Sequence, residues 1–321
     1  MSVLGIDTSN YRTSICLMDE KGRVLLDRRK LLQVKPGERG LQQSAAVFQH
    51  VQHLPELLEE SGLPPGHLQA IAVSAAPRPV PGSYMPVFQV GLSYARWLAR
   101  FLNVPCFLTT HQEGHLAAGV WSLGDTGQRL NQVSAFTAVH LSGGTSEILA
   151  VEPRPTGYKV EAIGGSTDLY AGQLIDRVGV ALGLPFPAGP ALEQLANNGE
   201  ESGLRIPSAV KGTWFSFSGP ETQALRWIAT GAPPSAIARA VEVCVANTLE
   251  KALRNAFAAG YPKEVLWVGG VVANRWIRNR LKQRLEHPAV GARCYFSAPE
   301  YSGDNACGVA LIGWKQLCVH Q

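Results

Sequence analysis

The order of strand-like and helical runs occurs twice in this chain, and this duplication limits the possible folds more than any other feature. Residues 3–32 hold three consecutive runs rich in β-forming residues, and helical and strand-like runs then alternate as far as residue 109. Three further strand-like runs fill residues 135–163, and a similar alternation follows as far as residue 296. The turn residues at 19–22 favour a hairpin between the second and third runs. A pattern repeated at this length predicts two similar α/β lobes in tandem.

The predicted elements define the lobes and the cleft between them. The predicted strands cover residues 3–8, 13–18, 23–32, 70–75, 104–109, 135–141, 146–151, 158–163, 264–268 and 292–296. The predicted helices cover residues 41–60, 87–101, 171–182, 235–259, 274–286 and 305–318. We expect a first lobe over residues 1–122 and a second over 123–303, with the helix in 304–321 packing back on the first. Duplicated ribonuclease H-like lobes around a nucleotide cleft are the plan of actin, sugar kinases and heat-shock ATPases, so we predict a two-lobed actin-like ATPase fold.

Composition favours a folded protein of the cytoplasm. Hydrophobic residues make up 45% of the chain and charged residues only 17%, which is enough to build a large core. The first residues lack a basic region and a cleavage site, and no run is long and apolar enough to suggest a membrane span. The six cysteines are scattered without metal-type spacing, so reduced thiols are the expectation. We therefore predict a cytoplasmic location and no membrane partner.

Two histidines and a distant aspartate form a candidate metal site. His111 and His115 are four residues apart, so on a helix they lie on one face about one turn apart. Asp304, near the other end of the chain, is the candidate third ligand. Two imidazoles and one carboxylate leave coordination positions open, which suits a divalent ion, Fe or Zn, that meets a substrate. The spacing of the histidines alone also fits a helix with two half-buried polar side chains.

Glycine pairs after predicted strands form a second group of candidates. They lie at residues 142–144, 164–165 and 269–270. Without side chains, the backbone N–H groups of such turns can approach phosphate oxygens, although most glycine pairs are only tight turns. Asp176, on the helix that follows, is a candidate for hydrogen bonds from ribose hydroxyls, or else part of a solvated helix face. These residues predict a nucleotide in the cleft.

Six motifs in order make the chain similar to the TsaD family of tRNA threonylcarbamoyladenosine transferases. They are residues 4–9 (LGIDTS), 111–115 (HQEGH), 142–144 (SGG), 215–219 (FSFSG), 269–274 (GGVVAN) and 303–306 (GDNA). The resemblance covers nearly the whole chain. It implies an actin-like fold and transfer of a threonylcarbamoyl group from threonylcarbamoyl-AMP to N6 of the adenine next to the anticodon of tRNA. It also implies a related protein partner of the TsaB type.

The resemblance assigns ligands to named residues. It implies a metal held by His111, His115 and Asp304. It places ATP or an adenylate against His140, Leu141, Ser142, Gly143, Gly144, Asp176, Gly189, Glu193 and Asn274.

The chain departs from the family at several positions. Where the family has Cys-Asp-Glu, this chain has Asn10, Tyr11 and Arg12, so an acidic pair has become an aromatic residue and a base. The histidine of the family's Ser-Gly-Gly-His-Thr becomes Thr145, and the lysine of its Ser-Gly-Leu-Lys-Thr becomes Glu221. The family's small, glycine-rich loop is replaced by a proline-rich loop over residues 76–85. These changes leave open a non-catalytic or regulatory paralogue that binds ATP or an adenylate with metal and acts through a partner.

Two further hypotheses concern peptides and RNA. The paired histidines and an old glycoprotease label on the family suggest a metallopeptidase, but a His-Glu-x-x-His peptidase needs glutamate where Gln112 stands. The predicted helix at 274–286 carries five basic residues in ten positions, which suits RNA phosphates or a solvated face. They are Arg275, Arg278, Arg280, Lys282 and Arg284.

Overall fold

The computed structural model describes residues 2–9, 11–34, 41–62, 68–198 and 203–320; Asn10 of the substituted motif lies outside them. The strands are β1 (Ser2–Ser9), β2 (Arg12–Asp19), β3 (Val24–Leu31), β4 (Leu68–Ala76), β5 (Cys106–Thr110), β6 (Phe136–Leu141), β7 (Ser146–Arg154), β8 (Gly157–Ser166), β9 (Ala209–Lys211), β10 (Trp214–Ser216), β11 (Glu264–Val268) and β12 (Arg293–Phe296). The helices are α1 (Gln43–Glu60), α2 (Pro86–Leu102), α3 (His111–Ser122), α4 (Asp125–Gln132), α5 (Ala171–Ala181), α6 (Gly189–Asn197), α7 (Ser218–Ala229), α8 (Pro234–Ala258), α9 (Arg275–Leu285), α10 (Pro299–Ser302) and α11 (Cys307–His320). A 3-10 turn covers Gly270–Ala273.

The two sheets repeat one strand order, as the sequence predicts. The first sheet runs β3-β2-β1-β4-β5, and the second contains β8-β7-β6-β11-β12 with β10 and β9 added beyond β8. In each sheet the first three strands pair antiparallel and the last two are added in parallel. Each sheet carries helices on both faces, which is the layered arrangement of α/β proteins.

Alternation along β1 directs successive side chains to opposite layers. Leu4 and Ile6 pack in the core shared with α1 and α2, whereas Val3 packs with residues of α11. Gly5 points to the α11 side, where an added Cβ would lie 2.5 Å from the carbonyl oxygen of Ala306. Because the side chains of a strand alternate, Asp7 also lies on the α11 side.

Helix α3 connects the two lobes. It begins where β5 of the first sheet ends, yet its Leu116 and Ala117 pack with Phe136 of β6 and Leu266 of β11 in the second sheet. Helix α11 follows β12 of the second sheet and packs on the first. Each lobe therefore contributes one helix to the core of the other.

Two glycines let α3 and α11 cross at close range. A Cβ added to Gly308 of α11 would lie 1.9 Å from the carbonyl oxygen of Gly114 in α3. A Cβ on Gly114 would lie 3.1 Å from the side chain of Val309. The crossing brings the first turn of α3, which carries the two candidate histidines, against the start of α11.

The structure corrects one sequence expectation and adds elements that the sequence pattern did not reveal. Gly164 and Gly165 do not form a turn; they lie inside β8, paired with β7 and β10. A Cβ on Gly164 would lie 2.4 Å from the carbonyl oxygen of Thr213, so glycine there permits the close approach of the chain next to β10. The unpredicted elements include α4, α6, α7, β9 and β10. No helix in the described part of the chain is long and apolar enough to cross a membrane.

We expect Gly308→Ala to destabilise the protein by about 1–3 kcal/mol or more, because the new methyl group meets backbone atoms that cannot move aside. Urea denaturation measures the change. Gly219→Ala is the matched control, since an added Cβ there meets nothing within 4 Å and the backbone is not left-handed. Equal denaturation midpoints for Gly308→Ala and the unmodified protein would show that the crossing is not tightly packed.

Candidate metal and nucleotide site

Three ligand atoms converge at the crossing of α3 and α11. The Nε2 atoms of His111 and His115 are 3.1 Å apart. Oδ1 of Asp304 lies 3.3 Å from His115 Nε2 and 3.6 Å from His111 Nε2. Ligands bonded to one tetrahedral ion at the usual metal–nitrogen length are about 3.3 Å apart. The three atoms therefore suit one divalent ion.

Asp7 orients the first histidine from behind. Its Oδ2 is 3.2 Å from His111 Nδ1 and accepts a 2.6 Å hydrogen bond from the hydroxyl of Ser9. A proton held on Nδ1 leaves Nε2 free to bind an ion. Histidines that bind metals usually donate their other ring N–H to a carboxylate in this way. The sequence analysis did not single out Asp7, although strand alternation places it on the α11 side of β1.

The charges of the triad suit a cation. Burial by itself would raise the pKa of Asp304, but the hydrogen bond with His115 and the charges of His111 and Arg12 outweigh it and hold that pKa well below its ordinary value. Burial, with a smaller contribution from His111, lowers the pKa of His115. Burial acts to lower the pKa of His111 too, yet the Asp7 carboxylate raises it above the ordinary value. Acid therefore opposes metal binding through His111, because a ligand histidine must lose its proton.

His140 lies beside the histidine pair. On β6 it lies on the same face as Phe136 and Ala138, which pack against α3, and its ring centroid is 4.5 Å from that of His115. Neither ring nitrogen has a hydrogen-bond partner among the described residues. Burial, followed by the two neighbouring histidines, lowers its pKa well below the ordinary value, so the ring is neutral. The nucleotide contact that the family resemblance implies for His140 stays a prediction.

A cleft of about 900 Å³ opens beside the triad. Its described lining includes Asp304 and six of the predicted nucleotide contacts: Ser142, Gly143, Asp176, Gly189, Glu193 and Asn274. His140, Leu141 and Gly144 are not among the described residues that line it. Leu141 is wholly buried, and its side chain packs in the hydrophobic core between the second sheet and helices such as α5 and α8.

The turn after β6 lies against the start of α5. Gly172 donates its N–H to the carbonyl oxygen of Ser142 at 3.2 Å. A Cβ on Gly172 would lie 2.6 Å from that oxygen, so only glycine permits this approach. Within the turn, Ser142 donates its N–H to the carbonyl oxygen of Thr145, and Gly144 donates its N–H to Oγ of Ser142. The N–H of Gly143 has no partner among the described residues, so it is available to an anion such as a phosphate.

The other predicted contacts also hold the cleft wall in place. Oδ1 of Asp176 accepts the N–H of Ala188 at 2.8 Å, and Oε1 of Glu193 accepts the N–H of Arg275 at 2.7 Å. The other carboxylate oxygen of each acid has no hydrogen-bond partner in the described part of the chain, so it is available to a ligand. Burial raises the pKa of Asp176.

Asn274 caps a helix. Its Oδ1 accepts the N–H of Ile277 at 2.8 Å, which caps α9, and its Nδ2 donates to Oε1 of Glu242 at 2.6 Å. Both ends of this side chain are therefore engaged within the protein.

Two of the residues that depart from the family line the same cleft, and a third has its own partner. Tyr11 and Arg12 line it, with the Tyr11 ring edge-to-face with Phe186 at 5.9 Å between centroids. Arg12 donates through Nη1 to the backbone oxygen of Asp304 at 3.2 Å. Glu221 forms an ion pair with Arg177 at 3.3 Å, so the glutamate has a partner within the chain.

The proline-rich loop before α2 is tied to the second lobe. Arg78 pairs with Glu147 of β7 at 2.7 Å, and Gln112 donates to the same carboxylate at 2.7 Å. Burial raises the pKa of Glu147. Gln112 thus links α3, which carries the two histidines, to the second sheet.

Glu113 has a structural role at the start of α3. Its carboxylate accepts the hydroxyl hydrogen of Thr110 at 2.8 Å, and Thr110 accepts the N–H of Glu113 in return. The Thr110 hydroxyl therefore caps the helix, and the Glu113 carboxylate holds that hydroxyl in place. Nothing in these contacts supports the general base that the metallopeptidase hypothesis needs.

The basic helix α9 is partly engaged with the protein. Arg278 stacks over the Phe296 ring at 4.9 Å, and Arg284 pairs with Glu250 at 2.9 Å. Arg275 and Lys282 are exposed. Fewer cations are therefore free for RNA than the sequence suggests.

Comparison with solved structures defines the class of the fold. The chain is similar to HypF from T. kodakarensis at a TM-score of 0.60 and 14% identity, over 99% of this chain and 48% of that one. It is also similar to the activator of the 2-hydroxyisocaproyl-CoA dehydratase from Clostridium difficile, with bound ADPNP, at a TM-score of 0.57 and 12% identity, over 100% and 97% of the two chains. The protein has the two-lobed actin-like ATPase fold.

Sequence comparison defines the family. The family model described as TsaD, tRNA N6-adenosine threonylcarbamoyltransferase, matches residues 40–311. Proteins of that name from Thermus thermophilus and Methanopyrus kandleri are 32% and 30% identical, over 98% and 100% of this chain and 93% and 88% of their own lengths. The chain belongs to the TsaD family.

We expect Zn²⁺ to stabilise the metal-free protein through the triad. Binding to the folded state alone raises the free energy of unfolding by about 2.7 kcal/mol when free ion exceeds its dissociation constant 100-fold. Urea denaturation with and without Zn²⁺ measures this increase. Asp304→Asn should abolish most of it, whereas His287→Ala, at an exposed histidine, should keep it. An equal increase in Asp304→Asn would place the ion elsewhere.

His50 gives the fold a predictable pH dependence. It is buried on α1, with Nδ1 2.8 Å from the hydroxyl of Thr13. Burial lowers its pKa to about 4. In the unfolded chain a histidine takes up a proton near pH 6.5, so between these values the unfolded state binds more protons and stability falls as the pH falls.

We expect the protein to lose about 2 kcal/mol of stability between pH 7 and pH 5 that His50→Gln does not lose, because the glutamine does not titrate. Urea denaturation at the two pH values measures both losses. Equal losses in the two proteins would show that His50 is protonated in the folded state.

Proposed function

We propose that this protein transfers a threonylcarbamoyl group from threonylcarbamoyl-AMP to N6 of the adenine next to the anticodon of tRNA. The observation that carries the proposal is the position of the triad of His111, His115 and Asp304 at a cleft that also holds a glycine turn suited to phosphate. The names of the curated relatives support the same activity.

In this proposal, residues from both lobes bind the adenylate. His111, His115 and Asp304 would hold one divalent ion, Fe or Zn, which supplies Lewis acidity to polarise the acyl group and neutralise the phosphate. Ser142, Gly143 and Gly144 would hold the phosphate, and AMP is the leaving group. Asp176, Gly189, Glu193 and Asn274 would border the nucleoside, with His140 and Leu141 behind the turn. We propose that the first lobe consists of residues 1–122, with residues 304–321 packed on it. The second lobe would consist of residues 123–303.

The acceptor is the second substrate. The exocyclic amine of adenine is a poor nucleophile and must be unstacked and oriented, which an anticodon-loop base permits more readily than a duplex base. We infer that tRNA approaches the open side of the cleft, where Tyr11 and Arg12 replace the acids found in the family.

A TsaB-like protein is the proposed partner. Helices α1 and α2 of the first lobe both expose large apolar side chains, among them Phe48 and Trp97. Trp97 stacks on the exposed ring of Phe101 at 5.6 Å between centroids. Exposed aromatic clusters of this kind are typical of protein interfaces.

We expect metal-loaded protein to transfer label from threonine-labelled threonylcarbamoyl-AMP to unmodified tRNA, alone or with a lysate that supplies the partner. Asp304→Ala should remove the label because it removes a metal ligand. Trp97→Asp should remove only the stimulation by the lysate. Scintillation counting of precipitated tRNA measures transfer.

The outcomes separate the two remaining hypotheses. Label that depends on Asp304 establishes a transferase in which the acids replaced by Tyr11 and Arg12 are dispensable. No label under either condition, with ATP still bound in calorimetry, contradicts transfer and identifies a regulatory paralogue.

A further inference from the structure

Arg12 is an unusual residue for its position. It begins β2, lines the cleft and is partly buried. It is the one cationic side chain among the described residues that line the cleft. The lining acids are Asp176, Glu193 and Asp304. Protein side chains alone therefore give this cleft an excess of negative charge, which an anionic ligand must overcome.

The lining acids already have partners other than Arg12. Asp176 and Glu193 accept backbone N–H groups, and Asp304 contacts the two histidines. No carboxylate of the described residues lies within ion-pair distance of the Arg12 guanidinium. Among the described residues, its one hydrogen-bond acceptor is the backbone oxygen of Asp304, which it reaches through Nη1. A guanidinium has five N–H donors, so most of them have no partner in the described part of the chain.

One hydrogen bond places the Arg12 side chain next to the metal triad. Because Nη1 donates to the backbone oxygen of Asp304, the guanidinium lies beside the triad, in the cleft that Ser142 and Gly143 also line. A planar guanidinium matches the two oxygens of a carboxylate or phosphate, and it is charged at every physiological pH. Tyr11, the preceding residue, packs edge-to-face against Phe186, and both rings line the cleft.

We propose that Arg12 binds an oxyanion of the adenylate ligand, next to the metal triad, and that this contact selects the ligand in this chain. The proposal deepens the proposed function, since it takes an adenylate as the ligand. Two groups of threonylcarbamoyl-AMP have the required chemistry: the phosphate and the threonyl carboxylate. Where the family resemblance implies an acid, this chain has a cation, so anionic ligands gain affinity relative to neutral ones.

Calorimetry on the zinc-loaded protein distinguishes the two oxyanions. The ligands are adenosine, AMP and a hydrolysis-resistant sulfamoyl analogue of threonylcarbamoyl-AMP, the last as free carboxylate and as methyl ester. If Arg12 binds phosphate, Arg12→Gln weakens AMP about 10-fold or more and leaves adenosine unchanged. If it binds the carboxylate, the same variant weakens the free analogue about 10-fold or more and leaves its ester unchanged.

Two further variants keep the test sharp. Arg12→Lys retains the positive charge but lacks the planar pair of N–H donors. It should therefore recover part of the affinity that Arg12→Gln loses. Arg154→Gln is the matched control, because Arg154 is exposed at the end of β7 opposite the glycine turn, about 26 Å away along the strand. Metal content and thermal midpoint of each variant establish that it is folded and loaded.

The proposal is overturned if Arg12→Gln binds every ligand as the unmodified protein does, or if it weakens adenosine as much as AMP. It is also overturned if the only change is a loss of bound zinc, which would make Arg12 a support for Asp304. A dependence of affinity on Arg12 without transfer of label to tRNA would retain this inference and contradict the proposed function. Transfer of label with no dependence of affinity on Arg12 would retain the proposed function and contradict this inference.

Discussion

Helices α3 and α11 each leave the sheet of one lobe and pack on the sheet of the other, and they meet where Gly308 lies against Gly114. The sheets repeat one strand order, so the two helices occupy equivalent places in the duplicated fold. His111 begins one helix and Asp304 precedes the other. The close crossing therefore joins the two sheets and also gathers the ligand atoms, because His111 and His115 lie on the helix that follows the first sheet, whereas Asp304 precedes the helix that follows the second.

Burial makes this arrangement demanding. Polar groups removed from water cost free energy unless they are paired. Around the triad, Oδ1 of Asp7, Nδ1 of His115 and both ring nitrogens of His140 have no hydrogen-bond partner among the described residues. A cation bound by the triad would offset part of this cost, because it would attract the carboxylates of Asp7 and Asp304. The site is thus arranged for a charged ligand more than for stability of the empty fold.

Local pattern predicted most strands and the longer helices, because alternation and apolar periodicity are properties of neighbouring residues. The meeting of the three side chains was also predictable, since His111 and His115 share a helix face and the motif around Asp304 resembles the family; that they hold a metal stays a prediction. Long-range contacts were not. Asp7 acquires its place only when α11 covers β1, and Gly164 proved to be a site of close strand packing instead of a phosphate turn. The role of Gly308 depends on a crossing that no single segment encodes.

Anomalous diffraction from crystals of zinc-loaded protein, measured at the zinc absorption edge, tests the central claim most directly. The account predicts one strong peak bonded to Nε2 of His111, Nε2 of His115 and a carboxylate oxygen of Asp304, each at about 2.0–2.2 Å. A peak held by other residues, or no peak at the crossing in protein that carries zinc, would contradict the claim that α3 and α11 together build the metal site.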